Sequence, residues 1–127
     1  MDSFLRAYIQ TALWSSSDGS EESLDRNYDE SDLAPDTLAS MAADCKRFET
    51  ECWDIISAAI ETGEVSCGPD FDEWERAAHD FWLTRNGHGA GFWDGDWPEP
   101  YATQLTDAAH GFGECDLYVG DDGKVYI

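Results

Sequence analysis

The stretch PDTLASMAADCKRFETECWDIISAAIETG, residues 35–63, decides the fold. Pro35 suits a first helical turn and Gly63 suits a helix end. Between them, apolar residues recur every three or four positions, at Leu38, Met41, Cys45, Phe48, Cys52, Ile55 and Ala59. This spacing is typical of one helix face, so we predict a long helix over about residues 35–62. Four more apolar residues widen that face, which favours the central helix of a globular domain over a coiled coil: Ala42, Trp53, Ile56 and Ile60.

The opposite side of this predicted helix is acidic. At 100° per residue, four carboxylates fall within about 100° of one another. We call them the acidic ridge: Asp44, Glu51, Asp54 and Glu61.

Three further helices and one hairpin follow from the same reasoning. A helix over about residues 3–14 has Ser3 placed to cap it, and another opens at Pro69-Asp70 and stops at Asn86-Gly87. Residues 101–110 are predicted as a fourth helix, and CDLYVGDDGKVYI, residues 115–127, has two β-rich runs around Gly-Asp-Asp-Gly. The prediction is a single α+β domain over residues 1–127, mostly helical, with a small C-terminal antiparallel hairpin.

The first two helices are joined by the polar stretch SSSDGSEESLDRNYDESD, residues 15–32. It lacks periodicity, so we predict an acidic, serine-rich, solvated loop over about residues 15–34, with Leu24 and Tyr28 as its anchors. If the loop packs across the helices, its carboxylates extend the acidic ridge, in particular Glu21, Glu22, Asp29 and Glu30.

The charge is the strongest feature of the composition. The chain has 28 Asp and Glu against 7 Lys and Arg, for a formal net charge of -21, and the acids occur along its whole length. Repulsion among this many like charges destabilises a compact state. A folded domain that carries them therefore either works at high salt or uses its electric field for function. The absence of a basic footprint argues against direct binding of nucleic acid.

Composition also bears on the compartment and on metals. No run of about 18 apolar residues is present to span a membrane, and Met1-Asp2-Ser3 lacks the basic region of a secretory signal, so we expect a cytoplasmic protein. We predict Cys45 and Cys52 as buried, reduced thiols, and the pairing of Cys67 with Cys115 stays open. No ligand spacing typical of zinc is present, and we expect neither a metal nor a cofactor.

The block HDFWLTRNGHGAGFWDGDW, residues 79–97, is the candidate for chemistry. Gly87, Gly89 and Gly91 follow a predicted helix rather than a strand, unlike the glycines of a phosphate-binding loop. A small enzyme that uses His79, His88 and Asp94 is an alternative, but no nucleophile and base stand at a diagnostic spacing. We interpret the block as architectural. Its glycines then allow close approach, Arg85 neutralises nearby carboxylates, and five aromatic residues pack in the core or a packed loop: Phe81, Trp82, Phe92, Trp93 and Trp97.

Three segments carry a resemblance to known proteins: HDFWLTRNGHGAGFWD (79–94), SFLRAYIQTALW (3–14) and DLYVGDDGKVYI (116–127). Together they resemble small acidic proteins, largely of unassigned function, encoded by bacteriophages and mobile elements. The resemblance implies a phage or plasmid origin and carries over no catalytic residue.

Acid spread over a small folded protein resembles, in charge alone, the DNA-mimic inhibitors of host CRISPR, restriction and repair proteins. We therefore expect a non-enzymatic protein whose carboxylates occupy the basic surface of a bacterial nucleic-acid-binding protein. The alternative is an accessory binding protein of phage type whose acidity only serves solubility.

Overall fold

The computed structural model describes residues 2–17, 21–88 and 90–127. Over these ranges the chain forms four α-helices and a two-stranded antiparallel sheet, which confirms the mostly helical α+β prediction. The helices are α1 (Ser3–Ser15), α2 (Pro35–Glu61), α3 (Glu73–Arg85) and α4 (Tyr101–His110), and the strands are β1 (Tyr118–Val119) and β2 (Val125–Tyr126). Within the described ranges, no helix is both long and apolar enough to cross a membrane.

An aromatic cluster joins α1, α2 and α3 in the core. The rings of Phe48 and Phe81 stack with centroids 4.0 Å apart, and Tyr8 lies 5.2 Å from Phe81. Trp82 meets Tyr8 edge to face at 5.4 Å and donates its indole N–H to Ser15 Oγ at 2.8 Å. These four rings are among the largest fully buried side chains of the described residues, and they pack the three helices against one another.

Helix α2 confirms the helix predicted over residues 35–62, but Trp53, which was expected to widen its apolar face, is 55% exposed. Pro35 stands in its first turn, and its inner face includes Cys45 and Cys52, each 2% exposed. Burial raises the pKa of Cys52 to about 11, with a smaller contribution from Glu51, and raises that of Cys45 further. Cys67 and Cys115 are partly exposed, and all four cysteines are free thiols.

Two predicted helix starts need correction. The cap of α1 is Asp2, whose carboxylate accepts the Leu5 N–H at 2.8 Å, rather than Ser3. Helix α3 begins at Glu73 rather than at Pro69-Asp70, because Asp72 and Glu75 form a reciprocal capping box. This box satisfies two free backbone N–H groups and sets the first turn three residues later.

The segment between α1 and α2 is ordered where it is described. Leu24 is buried, Tyr28 is partly buried, and two short 3-10 helices form at Leu24–Arg26 and Glu30–Asp32. The anchors predicted for this segment are therefore confirmed, although the segment is more structured than a plain solvated loop. Its residues 18–20 lie outside the described residues.

The C-terminal hairpin packs against the start of α2. Tyr118 pairs with Tyr126 and Val119 with Val125, as the turn residues predicted. Val125 is fully buried, forms a parallel bridge with Leu33, and its carbonyl accepts the Ala34 N–H at 2.9 Å. The hairpin is thereby fixed to the helix that carries the acidic ridge.

Candidate functional site

Three of the four ridge residues are exposed on α2. Glu51, Asp54 and Glu61 face solvent, and Glu51 accepts a hydrogen bond from the exposed Arg47 at 3.1 Å. Asp44 differs, because its half-buried carboxylate accepts a 2.8 Å hydrogen bond from the buried Arg85. The open part of the ridge is therefore Glu51, Asp54 and Glu61, while the charge of Asp44 is balanced from inside.

Arg85 is only 5% exposed, and all its contacts lie within the fold. Besides Asp44 it donates to the Tyr8 hydroxyl at 3.0 Å and to the carbonyls of Phe112 and Gly113 at 3.1 and 2.8 Å. Burial disfavours its charge, but Tyr8 and Asp44 hold the pKa of Arg85 above its ordinary value. The prediction that Arg85 neutralises a nearby carboxylate is confirmed.

A second internal cluster surrounds the fully buried carboxylate of Asp80. It accepts hydrogen bonds from Trp97 Nε1 at 2.7 Å and Arg76 Nε at 3.4 Å, and one Asp80 oxygen lies 2.9 Å from His79 Nδ1. Arg76 also donates to Asp96 at 2.6 Å. A buried carboxylate needs such partners, because an unpaired charge is strongly disfavoured in the protein interior. The cluster ties α3 to the loop that follows it.

The three residues of the enzyme alternative are not brought together. His79 lies on α3 with its ring against Trp14 and Phe71. His88 is exposed beyond the end of α3, and its backbone N–H donates to the Leu83 carbonyl at 3.0 Å. Asp94 is exposed and accepts a 3.4 Å hydrogen bond from the Gly91 N–H. No shared catalytic geometry follows from these positions.

The backbone of the glycine-rich loop explains why glycines occupy two of its positions. Gly87 and Gly91 have positive φ angles of 68° and 152°, and a Cβ at Gly91 would collide with the Thr84 side chain. Thr84 Oγ1 instead accepts the Phe92 N–H at 3.1 Å. This confirms the predicted close approach at Gly91, whereas Gly87 has a positive φ but a Cβ there would meet only Glu114, at 3.8 Å. Gly89 lies outside the described residues.

One aromatic residue of the block was placed wrongly. Phe81, Trp82, Phe92 and Trp97 are buried as predicted, but Trp93 is 54% exposed. It lies at the outer side of the loop, in a turn that the aromatic density of the sequence does not reveal.

The acids predicted in the 15–34 segment differ in their surroundings. Glu21 and Glu22 are exposed, and Glu30 lies 3.8 Å from Arg6, with both side chains about half exposed. Asp29 caps the short helix that follows it, and hydrogen bonds from Ser31 lower the pKa of its carboxyl. Asp29 is therefore an ionised, oriented carboxylate at neutral pH.

The structure brings two further carboxylates near each other, Glu49 and Asp2, which the sequence analysis did not single out. Burial raises the pKa of Glu49 on α2, and the charge of Asp2 at the start of α1 raises it further. Glu49 lies about 160° around α2 from Glu51, so Glu49 and Asp2 form an acidic pair apart from the ridge. The helix-cap preference of aspartate is the signal that could have placed Asp2.

Exposed charge on the described surface is predominantly negative. Most of the described Asp and Glu side chains are exposed. Of the seven basic residues, Arg76 and Arg85 are held inside the fold by Asp80, Asp96 and Asp44. Among the described residues, no group of three His, Cys, Asp or Glu could hold a metal ion.

Comparison with known proteins adds no relative to this description. No family model matches the chain, and no curated protein or solved structure is detectably similar to it.

Proposed function

We propose that this chain is an acidic DNA-mimic protein, of phage or plasmid type, that inhibits a bacterial nucleic-acid-binding defence or repair protein. It occupies the basic surface on which that protein binds DNA. The action is competition in the bacterial cytoplasm and needs no chemistry from the chain itself.

The observation that carries the proposal is the division of charge between inside and outside. Arg76 and Arg85 are balanced by internal carboxylates, whereas most other acids remain exposed. A surface of this kind attracts a basic partner over a distance of about 8 to 10 Å at physiological ionic strength, as the phosphates of DNA do.

Rigidity of the frame is the second support. Glu51, Asp54 and Glu61 stand on a helix of 27 residues whose opposite face is buried in the core. At about 1.5 Å of rise per residue, these acids are about 4.5 and 10.5 Å apart along the helix axis. Charges held on such a frame keep their spacing when a partner binds, which reduces the entropy lost on association.

Displacement of DNA is the direct test. A fluorescently labelled duplex is bound to purified bacterial restriction enzymes, CRISPR effectors and repair nucleases, and its anisotropy is followed as the protein is added. We expect release of the duplex from at least one of them, and release that weakens steeply as salt is raised.

Charge reversal then locates the surface. The double variant Glu51→Lys/Asp54→Lys should slow association and abolish displacement without lowering Tm, because both side chains are exposed. The matched control, Asp107→Lys/Glu114→Lys, changes the net charge equally at other exposed positions. Equal losses in both variants would place the contact elsewhere on the acidic surface. Unchanged displacement by the ridge variant, or displacement indifferent to salt, would contradict the proposal.

A further inference from the structure

A groove of about 870 Å³ runs beside α1. Its walls come from α1, the segment 25–31, the segment 67–71 and the first half of α3. Pockets that bind small groups in proteins measure roughly 300 to 1,000 Å³. The groove is therefore large enough for a side chain together with part of the backbone that carries it.

One wall of the groove is aromatic. Trp14 stacks against His79 with ring centroids 6.2 Å apart and planes inclined by 28°, and Phe71 lies 5.4 Å from the same imidazole. His79 is held in place by the contact of its Nδ1 with the buried Asp80. The wall is thus fixed from behind, and yet Trp14 is 55% exposed at its edge. An exposed indole held in this way offers a flat surface for a flat ligand group.

The charged lining of the groove favours a cation. Arg76 is held by Asp80 and Asp96, and Arg6 lies near Glu30, so neither arginine offers an uncompensated charge. Because Glu30 balances Arg6, three further carboxylates remain along the lining: Asp25, Asp29 and Asp70. An anionic ligand would be repelled by this set, whereas a cation would be attracted.

We infer that this groove holds an arginine side chain from a basic segment of the partner protein. A guanidinium is flat, stacks on aromatic rings and forms paired hydrogen bonds with carboxylates, so it matches both the aromatic wall and the acidic lining. The identity of the occupant as a protein side chain rests on the proposed function. The affinity of the groove for the guanidinium group can be measured without that partner.

The first experiment uses a peptide probe. The full chain, labelled with ¹⁵N, is titrated with acetyl-Gly-Arg-Gly-amide, and the Trp14 indole N–H and the backbone amides of residues 25–31 are followed by NMR. We expect saturable shifts with a millimolar Kd. The same peptide with citrulline in place of arginine is uncharged but similar in shape, and it should bind at least tenfold more weakly. Equal binding of the two peptides, or shifts elsewhere without shifts in the groove, would overturn the inference.

Two variants with matched controls test the walls. Trp14→Ala removes the exposed indole, and Trp53→Ala removes another indole that is also 55% exposed but does not line the groove. Asp70→Asn removes a carboxylate of the groove, and Asp107→Asn removes an exposed one from α4. The groove variants should weaken peptide binding about fivefold or more, and the controls should leave it unchanged. Equal losses of peptide affinity in the groove variants and in their controls would mean that the peptide does not bind specifically in the groove, and would overturn the inference.

The inference and the proposed function fail separately. If displacement of DNA depends on the ridge but the arginine peptide does not bind the groove, the inference is wrong and the proposed function stands. If the peptide binds the groove but no DNA is displaced, the groove site stands and its occupant is not a nucleic-acid-binding protein. When both hold, Trp14→Ala should reduce displacement while its dependence on salt stays the same.

Discussion

Two carboxylates of helix α2 pair with arginines in opposite surroundings. On the inner side, Arg85 is 5% exposed, contacts Asp44 at 2.8 Å and donates to three further acceptors. On the outer side, Arg47 contacts Glu51 at 3.1 Å with both side chains more than half exposed. The inner pair is fixed by its neighbours, whereas the outer pair is screened by water and contributes little. Charged side chains thus hold the fold together on one side of α2, whereas on the other side they face water and remain available to a partner.

The largest expected effect comes from the core beside the inner pair. Trp82→Ala should lower the free energy of unfolding by about 3 to 5 kcal/mol, because it removes a buried indole and leaves a cavity. Trp82 is 1% exposed and also donates to Ser15. Thermal and urea melts measure the loss. The control Trp93→Ala, at a residue that is 54% exposed, should stay within about 0.5 kcal/mol of wild type. A Trp82→Ala protein that melts like wild type would show that the block is not architectural.

Replacement of Arg85 and of Arg47 tests whether the inner pair stabilises the fold more than the outer pair does. Arg85→Met should cost about 3 kcal/mol, since it leaves the Asp44 carboxylate and the Tyr8 hydroxyl without their buried donor. We place it at the low end of the usual range because Asp44 is 30% exposed. Arg47→Met should cost less than about 1 kcal/mol, including its contact over the Phe112 ring at 4.4 Å. Similar losses in urea melts of the two variants would remove the distinction between the inner and outer sides.

The smallest expected effect on stability is at Glu49, a partly buried residue of α2. Burial and the charge of Asp2 raise the pKa of this carboxyl in the folded state above its value in the unfolded chain. Ionised Glu49 therefore destabilises the fold at pH 7, and this penalty disappears as the pH falls through the raised pKa. Glu49→Gln should raise Tm at pH 7 by no more than about 2 °C, and the gain should vanish near pH 4.

Asp54→Asn is the control for Glu49→Gln, because it removes one charge from an exposed position of the same helix. It measures the general relief of self-repulsion. If Glu49→Gln gains no more than this control at pH 7, or gains more as the pH falls, the assigned environment of Glu49 is wrong.

Apolar periodicity and helix-ending residues were enough to predict that the four helices exist, although not where each one begins. The face of α2 and the bounds of α4 follow from apolar spacing, proline and glycine, which act within a few residues along the chain. The start of α3 could also have been predicted, because Asp72 and Glu75 have the spacing of a capping box. The prediction relied instead on Pro69-Asp70, which is a competing signal for a helix start.

The internal charge pairs could not be predicted in the same way. Asp44 shares an angular sector with Glu51 on an ideal helix, and only tertiary packing shows that Arg85 lies opposite one of them and not the other. Asp80 is similar, since its partner Trp97 is 17 residues away in the chain. Its partners Arg76, four residues earlier on the same helix, and His79, the preceding residue, were the local signals.

The bridge between Leu33 and Val125 has a consequence for the order of folding. About 90 residues separate these two positions, and the entropy lost in closing a chain segment grows with its length, although slowly. The helices shorten this distance once they have packed, so hairpin docking is favoured as a late step. The same contact should open before the core does. The Ala34 amide, which donates to the Val125 carbonyl, would then exchange its hydrogen with water sooner than the interior amides of α2.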